Sequence, residues 1–162
     1  MARALRQKKS LSDLIQSVES VMPSDDEVVR SFEKLSVNSN PTRRYLLVEI
    51  EKEMRATEEI LVGPPSKVHV EHIYPQTPEP DDRFKDHASL VNRLGNLSLL
   101  SKRINTSIKN ASFLKKRDDY AKSDLLLTNK LIEWETWGSD EIEQRQDQMA
   151  THVASIWKNK FQ

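Results

Sequence analysis

Apolar residues recur every three or four positions in the first third of the chain. This spacing runs from Leu11 to Met22, from Val28 to Leu35 and from Leu46 to Met54. Residues at this spacing lie on one face of an α-helix. The pattern therefore predicts three helices, each with one apolar face.

The sequence also marks where these helices begin and end. Pro23 ends the first helix, because proline has no amide hydrogen to donate. Ser24 and Glu27 predict a capping box, in which each side chain accepts a hydrogen bond from a free amide at the helix start. Asn40 is the predicted N-cap of the third helix, and Pro41 is its first residue.

The periodicity changes after Gly63-Pro64-Pro65. Residues 67–73 (KVHVEHI) are rich in β-branched side chains and predict a strand. Residues 76–88 hold prolines and acids and predict a loop. A turn at Leu94-Gly95 then leads into a second short strand at residues 96–100. Together the two strands predict a hairpin.

Helical patterns return after the second strand. Ser101 is the predicted cap of one helix, and another helix follows from about Ser112. Apolar residues at 125–134 predict a further helical segment. Ser139 or Asp140 is the predicted cap of one long last helix that reaches residue 157. The three tryptophans are interpreted as core residues.

Composition narrows the class of protein. The chain has 162 residues, the length of one domain, and no cysteine. The lack of cysteine excludes disulfides and cysteine-ligated zinc, and it is typical of an intracellular protein. No apolar run spans a bilayer and no secretory signal is visible, so we expect a cytoplasmic protein with no membrane partner. The basic opening, MARALRQKKS, favours a disordered arm.

Charge is unevenly distributed although the net charge is zero. Residues 101–117 carry six bases and no acid, and residues 118–148 carry nine acids and three bases. Two interpretations remain open: a phosphate-binding face beside an acidic segment, or two solvated helix faces. Charge alone favours the second.

The predicted strand–loop–strand–helix unit also holds the densest group of metal-binding and proton-transfer side chains. Glu71 and His72 lie on the first strand, Asn96 on the second and Asn105 on the helix. Phosphodiester hydrolysis needs a base that removes a proton from water, and a neutral imidazole does this near pH 7. It also needs stabilisation of the leaving oxygen, which a hard divalent cation with oxygen ligands provides.

These residues resemble the HNH nuclease motif, D-H-I-x-P followed by N-L-x-x-L-x-x-x-x-N. The first part reads EHIYP at residues 71–75, and the second reads NLSLLSKRIN at residues 96–105. The wider sequence, EHIYPQ with NRLGNLSLLSKRIN, is similar to the C-terminal nuclease domain of GmrSD-type restriction enzymes, which cut modified DNA. The resemblance extends over the flanking helices, from about Thr42 to Trp157.

The resemblance implies a role for each motif residue. His72 corresponds to the general base, and Asn96 to the residue that braces the hairpin and orients the base. Glu71 and Asn105 correspond to ligands of one divalent metal ion, Mg²⁺ or Mn²⁺. Basic residues near the motif are candidate DNA-phosphate contacts, namely Arg93, Lys102, Arg103 and Lys109.

Some features depart from this motif. Glu71 stands where the family has Asp, which adds a methylene before the carboxylate. Ser101 and Ile104 stand where many HNH proteins carry zinc-binding cysteines, so packing must hold the unit together. Adjacent residues of a regular strand point to opposite faces, so Glu71 and His72 reach one phosphate only if the strand twists or ends there. Pro75 favours such an early end.

Other polar residues near the motif have less specific interpretations. His69 is a minor candidate for a substrate or metal role. His87 is interpreted as a surface residue and His152 as a structural one. Asn92 and Asn110 are interpreted as turn or cap residues.

The sequence therefore predicts a mainly α protein, a helical domain that encloses one ββα-metal (HNH) finger. One domain is expected over residues 1–162, with N-terminal helices at 1–62, the ββα-metal core at 66–122 and C-terminal helices at 123–162. The predicted function is metal-dependent cleavage or nicking of DNA in bacterial anti-phage defence. No Walker-type phosphate loop is present, so the NTP-hydrolysing sensor that the resemblance implies is expected in another domain or subunit.

Two other functions remain open. One is a catalytically weak DNA-binding module, which the glutamate at position 71 favours. The other is a helical protein-interaction subunit in which the histidines and asparagines are structural. Metal binding without His72-dependent cleavage supports the first, and the absence of both metal and DNA binding supports the second.

Overall fold

Helices make up most of the structure, and one β-hairpin lies between them. The structure is a computed structural model that describes residues 10–56 and 62–158. The predicted N-terminal arm lies outside the described residues apart from Ser10. In these two ranges, no helix has both the length and the apolar character that a membrane crossing requires. The prediction of a mainly α protein is confirmed.

Helices precede and follow the hairpin along the chain. Three helices come first: α1 (Leu11–Glu19), α2 (Asp25–Phe32) and α3 (Asn40–Arg55). The strands β1 (Val68–His72) and β2 (Leu97–Ser101) follow, with the short helix α4 (His87–Leu90) between them. The remaining helices are α5 (Lys102–Ile108), α6 (Phe113–Tyr120), α7 (Leu126–Asn129), α8 (Ser139–Ala150) and α9 (Val153–Ile156). Short 3₁₀ turns lie at Pro80–Asp82, Leu94–Asn96 and Lys130–Glu133.

The helix caps agree with the sequence in part. Ser24 and Glu27 form the predicted capping box of α2. The Ser101 hydroxyl caps α5 by accepting a hydrogen bond from the Ile104 amide at 3.4 Å. The predicted N-cap of α3 was wrong by one residue, because Ser39 has the extended backbone of a cap and Asn40 is already helical.

The predicted long last helix consists of two helices. α8 ends at Ala150, and α9 begins only at Val153. The N-cap of α8 is Gly138, and neither Ser139 nor Asp140. After the break, α9 packs against α2 and α3 as well as against α8. Tertiary packing with the N-terminal helices therefore accompanies the end of α8 at Ala150.

β1 and β2 pair as antiparallel strands. The register pairs His72 with Leu97 and Glu71 with Ser98. Directly paired residues of antiparallel strands lie on the same face of the sheet, and neighbours in sequence lie on opposite faces. His72 therefore shares its face with Leu97, and Glu71 lies on the other face with Ser98.

Each face of the hairpin packs against its own hydrophobic cluster. Leu97 and Leu99 pack with Leu47 and Ile50 of α3, as the apolar face of that helix predicts. Leu100, on the opposite face, packs with residues of α5 and α6. The hairpin thus lies between α3 and the α5–α6 pair.

α1 contributes nothing to these clusters. Its apolar stripe is present as predicted, but none of its residues is buried. Leu11 is 75% exposed, and Val21, just after the helix, is 79% exposed. The helix position was predicted correctly, and its apolar face is exposed to solvent.

α8 places two buried polar side chains beneath the turn that precedes β2. Arg145 Nη1 donates to the carbonyls of Gly95 at 2.6 Å and Leu97 at 2.9 Å. Gln146 Oε1 accepts from the Gly95 amide at 3.0 Å, and its Nε2 donates to the Phe32 carbonyl at 2.7 Å. Buried polar groups are costly unless they are hydrogen-bonded, so these contacts select one position of the turn on α8.

Gly95 lies so close to α8 that a side chain does not fit. A Cβ atom there would lie 2.2 Å from the Ile142 carbonyl oxygen and 2.9 Å from Gln146 Cβ. Because the obstructing atom belongs to the backbone, we expect Gly95→Ala to lower the free energy of unfolding by about 3 kcal/mol, measured by urea denaturation.

Gly138→Ala is the matched control. The nearest atom to a Cβ at that position is a flexible Glu141 carboxylate oxygen at 3.1 Å, so its loss should stay below about 1 kcal/mol. Equal losses in the two variants would contradict the close approach at Gly95.

Candidate active site

A single buried carboxamide holds the chain where it leaves β1. Asn96 is fully buried, and its Oδ1 accepts hydrogen bonds from the Tyr74 amide at 2.7 Å and the Trp137 indole at 3.1 Å. Its Nδ2 donates to the carbonyls of Tyr74 at 3.0 Å and Val91 at 3.1 Å. These bonds hold the backbone two residues after His72. Asn96 therefore braces the end of the hairpin.

His72 is the last residue of β1 and is half-buried. Among residues 10–56 and 62–158, its Nε2 is the only buried side-chain nitrogen or oxygen without a hydrogen-bond partner. Burial and the charge of Arg43 lower the pKa of His72 to about 4, and a hydrogen bond with Asn92 opposes this shift. The imidazole is therefore neutral at pH 7. An unpartnered buried group of this kind is often explained by catalysis or by a water or ion that binds there.

Arg43 and Asn92 connect this imidazole to the N-terminal helices. Arg43 of α3 is buried, and it donates through Nε to the Val37 carbonyl at 2.5 Å and through Nη2 to Asn92 Oδ1 at 2.5 Å. Asn92 Nδ2 in turn donates to Asn38 Oδ1 at 2.8 Å. Asn92 is thus held from two sides while it contacts His72.

Sequence reasoning missed both of these residues. Asn92 was interpreted as a turn or cap residue, and Arg43 was not singled out. The only local signal was that Asn92 lies four positions before Asn96 of the motif. For Arg43 the sequence carries no signal, since 29 positions separate it from His72.

Glu71 is buried in an ion pair on the other face of β1. Its Oε1 accepts from Lys116 Nζ at 2.6 Å and from the Tyr120 hydroxyl at 3.1 Å. Lys116 also donates to the His72 carbonyl at 2.8 Å and the Ile73 carbonyl at 3.3 Å. Burial raises the pKa of Glu71 and lowers the pKa of Lys116, and each partner opposes the shift of the other. Both the carboxylate and the end of β1 are therefore held by α6.

The hairpin separates the motif residues onto its two sides. Glu71 faces α6, and α5, which carries Asn105, packs against both strands and against α6. Asn105 is half-buried. His72 lies on the α3 side, next to Arg43. The alternation of a regular strand thus persists to the end of β1, and the candidate base and the candidate metal ligand face different helices.

The basic residues of the motif region do not share one surface. Lys102, Arg103 and Lys109 are exposed. Arg93 is half-buried and donates to Gln146 at 3.1 Å and to the Glu33 carbonyl at 2.8 Å. Lys116 is almost fully buried. The basic residues in 101–117 therefore include one that is buried in an ion pair and several that are exposed. Neither a single phosphate-binding face nor a solvated helix face describes all of them.

The loop after the motif is held by aromatic contacts. The rings of Tyr74 and Phe84 stack with centroids 4.0 Å apart. The Tyr74 hydroxyl accepts from the Phe84 amide at 3.1 Å and shares a hydrogen bond of 2.8 Å with His87 Nδ1. His87 is half-buried, and its side chain also helps to hold the loop.

A metal ion at this site would depend on few protein ligands. In the two described ranges, no three His, Asp or Glu side chains are grouped to hold a metal ion. Glu71 and Asn105 offer the hard oxygen atoms that Mg²⁺ and Mn²⁺ prefer, and Mg²⁺ commonly keeps several waters beside one or two carboxylates. The unpartnered Nε2 of His72 lies on the opposite face of β1, and it is a separate sign that a group from solution binds near the candidate base. The donor types of Glu71 and Asn105 suit such a cation, which would compete with Lys116 for the Glu71 carboxylate.

Comparison with known protein families identifies the chain. The family described as GmrSD restriction endonucleases, C-terminal domain, matches residues 22–152. The chain belongs to this family. The match covers most of the chain and includes β1, β2, α5 and α6, whereas the exposed α1 precedes it. No curated protein matches the chain.

Membership in the GmrSD C-terminal family confirms the resemblance that the motif suggested. It assigns the chain to the nuclease domains of restriction endonucleases, whose substrate is DNA. The site described above is therefore the candidate active site of a GmrSD-type nuclease domain.

The buried ion pair makes a testable contribution to stability in this GmrSD-type domain. Lys116→Met leaves the Glu71 carboxylate buried without its cation, so we expect the free energy of unfolding to fall by about 3–5 kcal/mol. Urea denaturation measures the change. Lys115→Met is the control, because that neighbouring side chain is exposed and its loss should change stability by about 0.5 kcal/mol or less.

A double-variant cycle separates the ion pair from the packing of α6. Glu71→Gln combined with Lys116→Met removes both charges and should be less destabilising than the sum of the single changes. Strict additivity would show that the two side chains do not interact.

Proposed function

We propose that this domain hydrolyses phosphodiester bonds of DNA in an HNH-type site built from β1, β2 and α5, with His72 as the general base. The observation that carries the proposal is the neutral His72 side chain with its buried, unpartnered Nε2. It lies in the EHIYP segment of a chain whose family consists of nuclease domains. A neutral imidazole can accept a proton from an attacking water.

The neighbouring side chains keep this base in one position. Asn96 holds the backbone that follows it through Tyr74, and Lys116 holds its own carbonyl. Asn92 contacts the ring and is itself bound by Arg43. Because Nε2 is buried, water reaches it after a local rearrangement of these surroundings. The proton of that water is then transferred to His72.

The proposed metal site uses Glu71 and Asn105. A divalent cation held there, Mg²⁺ or Mn²⁺, would stabilise the negative charge that develops on the leaving oxygen. Lys116 already neutralises Glu71 and fixes its position. The proposed biological role is restriction of foreign DNA in anti-phage defence, with the NTP-hydrolysing sensor in another domain or subunit, and this role is supported by family membership alone.

One observation favours a second function, a DNA-binding module with weak or no cutting. The Glu71 carboxylate is engaged by Lys116 and Tyr120 on the face of β1 opposite to His72. If this ion pair excludes the metal, DNA binding remains without cleavage. Metal-independent DNA binding that His72→Ala leaves unchanged, with no cutting by the wild type, would favour this function.

The first prediction of the proposal concerns the base. His72→Ala should abolish conversion of supercoiled plasmid to nicked or linear DNA, while fold and DNA affinity stay close to wild type, because the change removes only the proton acceptor. The assay is run with Mg²⁺, with Mn²⁺ and with EDTA, and EDTA should stop cutting by the wild type.

Asn105→Ala should abolish cutting and also weaken metal binding in calorimetry.

His69→Ala is the control for this experiment. It removes the same kind of side chain three positions earlier on the same strand, and the register places it on the opposite face of the hairpin from His72. It should retain most of the cutting activity. Wild-type rates in His72→Ala would end the proposed mechanism.

A second prediction concerns the orientation of the base. Asn92→Ala should lower the cutting rate by about 10- to 100-fold with little change in DNA affinity, because the imidazole loses its polar partner. Asn92→Asp keeps the oxygen that accepts from Arg43 and should restore much of the rate.

The exposed Asn110→Ala serves as the control for Asn92→Ala. Urea denaturation of each variant accounts for any loss of folded protein. A purely structural role for Asn92 predicts lower stability with an unchanged rate per folded molecule, and that result would contradict positioning.

A further inference from the structure

An open groove lies at the start of the hairpin, at the opposite end of β1 from His72. Its volume is about 840 Å³. It is bounded by the segment before β1, the first turn of α5 and the segment between α6 and α7. Its charged lining residues are Lys67, Lys102, Arg103, Lys122 and Asp124.

The four basic residues of this groove come from three separate parts of the chain. Lys67 precedes β1, Lys102 and Arg103 begin α5, and Lys122 follows α6. All four are exposed. The fold therefore assembles a positive surface that no continuous segment of the sequence displays.

The backbone beneath these side chains is firmly held. The Lys102 amide donates to the Lys67 carbonyl at 2.7 Å, which joins two cationic residues that are 35 positions apart. On the far wall, Arg55 donates to the Asp124 carbonyl, and Glu51 accepts from the Leu126 amide at 2.8 Å. The groove is thus preformed by the fold, and only its side-chain ends are free to adjust.

Two acidic groups reduce the positive charge of the groove. Asp124 lines it, and Asp119 lies 2.6 Å from Lys122 Nζ. The Lys122 side chain is 65% exposed, so this ion pair is weak in water and a phosphate can compete for the ammonium group. Cations in the groove still outnumber acids.

We propose that this groove binds the phosphate backbone of DNA, with Lys67 and Lys122 as contacts beside Lys102 and Arg103. This inference rests on the proposed function, since it supplies the substrate track of the same site. Four residue steps along β1 separate the groove from His72, a distance of about 13 Å at about 3.3 Å per residue. At about 3.4 Å of helical rise per nucleotide, the groove holds a strand about four nucleotides from the bond that is cut.

The test measures DNA affinity against salt concentration by fluorescence anisotropy of a labelled duplex, in the presence of EDTA so that no cutting occurs. Each phosphate contact contributes about 0.9 to the slope of log K against log salt. The double variant Lys67→Gln with Lys122→Gln should therefore lower the magnitude of the slope by about 2, equally on two unrelated DNA sequences. Asp124→Asn should instead tighten DNA binding, because it removes an acidic group from the groove.

The control is Lys34→Gln, an exposed lysine that does not line the groove. It should leave the slope unchanged, and thermal melting should show all variants folded. If the double variant matches Lys34→Gln, the groove does not contact DNA. A loss confined to one DNA sequence would also overturn backbone recognition.

Plasmid cutting measured in parallel separates this inference from the proposed function. A wild type that cuts, with an unchanged slope in the double variant, refutes the groove and leaves the nuclease proposal standing. A wild type that binds without cutting, with the slope reduced in the double variant, supports the groove and refutes the nuclease proposal.

Discussion

The structure around the candidate site depends on the buried carboxamide of Asn96. It uses two donor and two acceptor interactions, and through them it joins the end of β1, the segment after α4 and Trp137. A buried amide with any of these bonds missing would carry a desolvation cost of about 1–3 kcal/mol. The arrangement therefore permits little variation in the path of the chain after His72. The neighbouring Gly95 extends the same constraint to α8, where backbone contacts backbone without an intervening side chain.

This rigidity places the two candidate site residues, Glu71 and His72, on opposite sides of the hairpin. Glu71 is held by α6 through Lys116, and His72 lies near α3 and Asn92. The separation follows from strand alternation, which the hydrogen bonds at the end of β1 preserve. Lys116 contacts both the Glu71 carboxylate and the His72 carbonyl, so one cation links the two sides. Any metal ion bound by Glu71 must coexist with this ammonium group or replace it.

Local sequence patterns were sufficient for much of the fold. The apolar spacing located α2 and α3, and the capping box of Ser24 is present. The two strands were predicted to within a residue or two, because β-branched residues and turns are local signals. The motif predicted His72 and Asn96 as site residues and indicated the family, and the family is confirmed. Caps and breaks that depend on tertiary packing were less predictable, as Ser39 and the two-part last helix show.

The sequence by itself thus determined the hairpin, most helices and the residues that carry the proposed chemistry. The tertiary structure alone decided their partners. Arg43, Asn92 and Lys116 approach the motif from α3, the turn before β2 and α6, and only Asn92 lies close to a motif residue in the sequence. Such contacts arise because burial forces each polar group to find a partner, and that partner is chosen by packing between segments far apart in the chain. The exposed basic groove likewise exists only after the chain has folded.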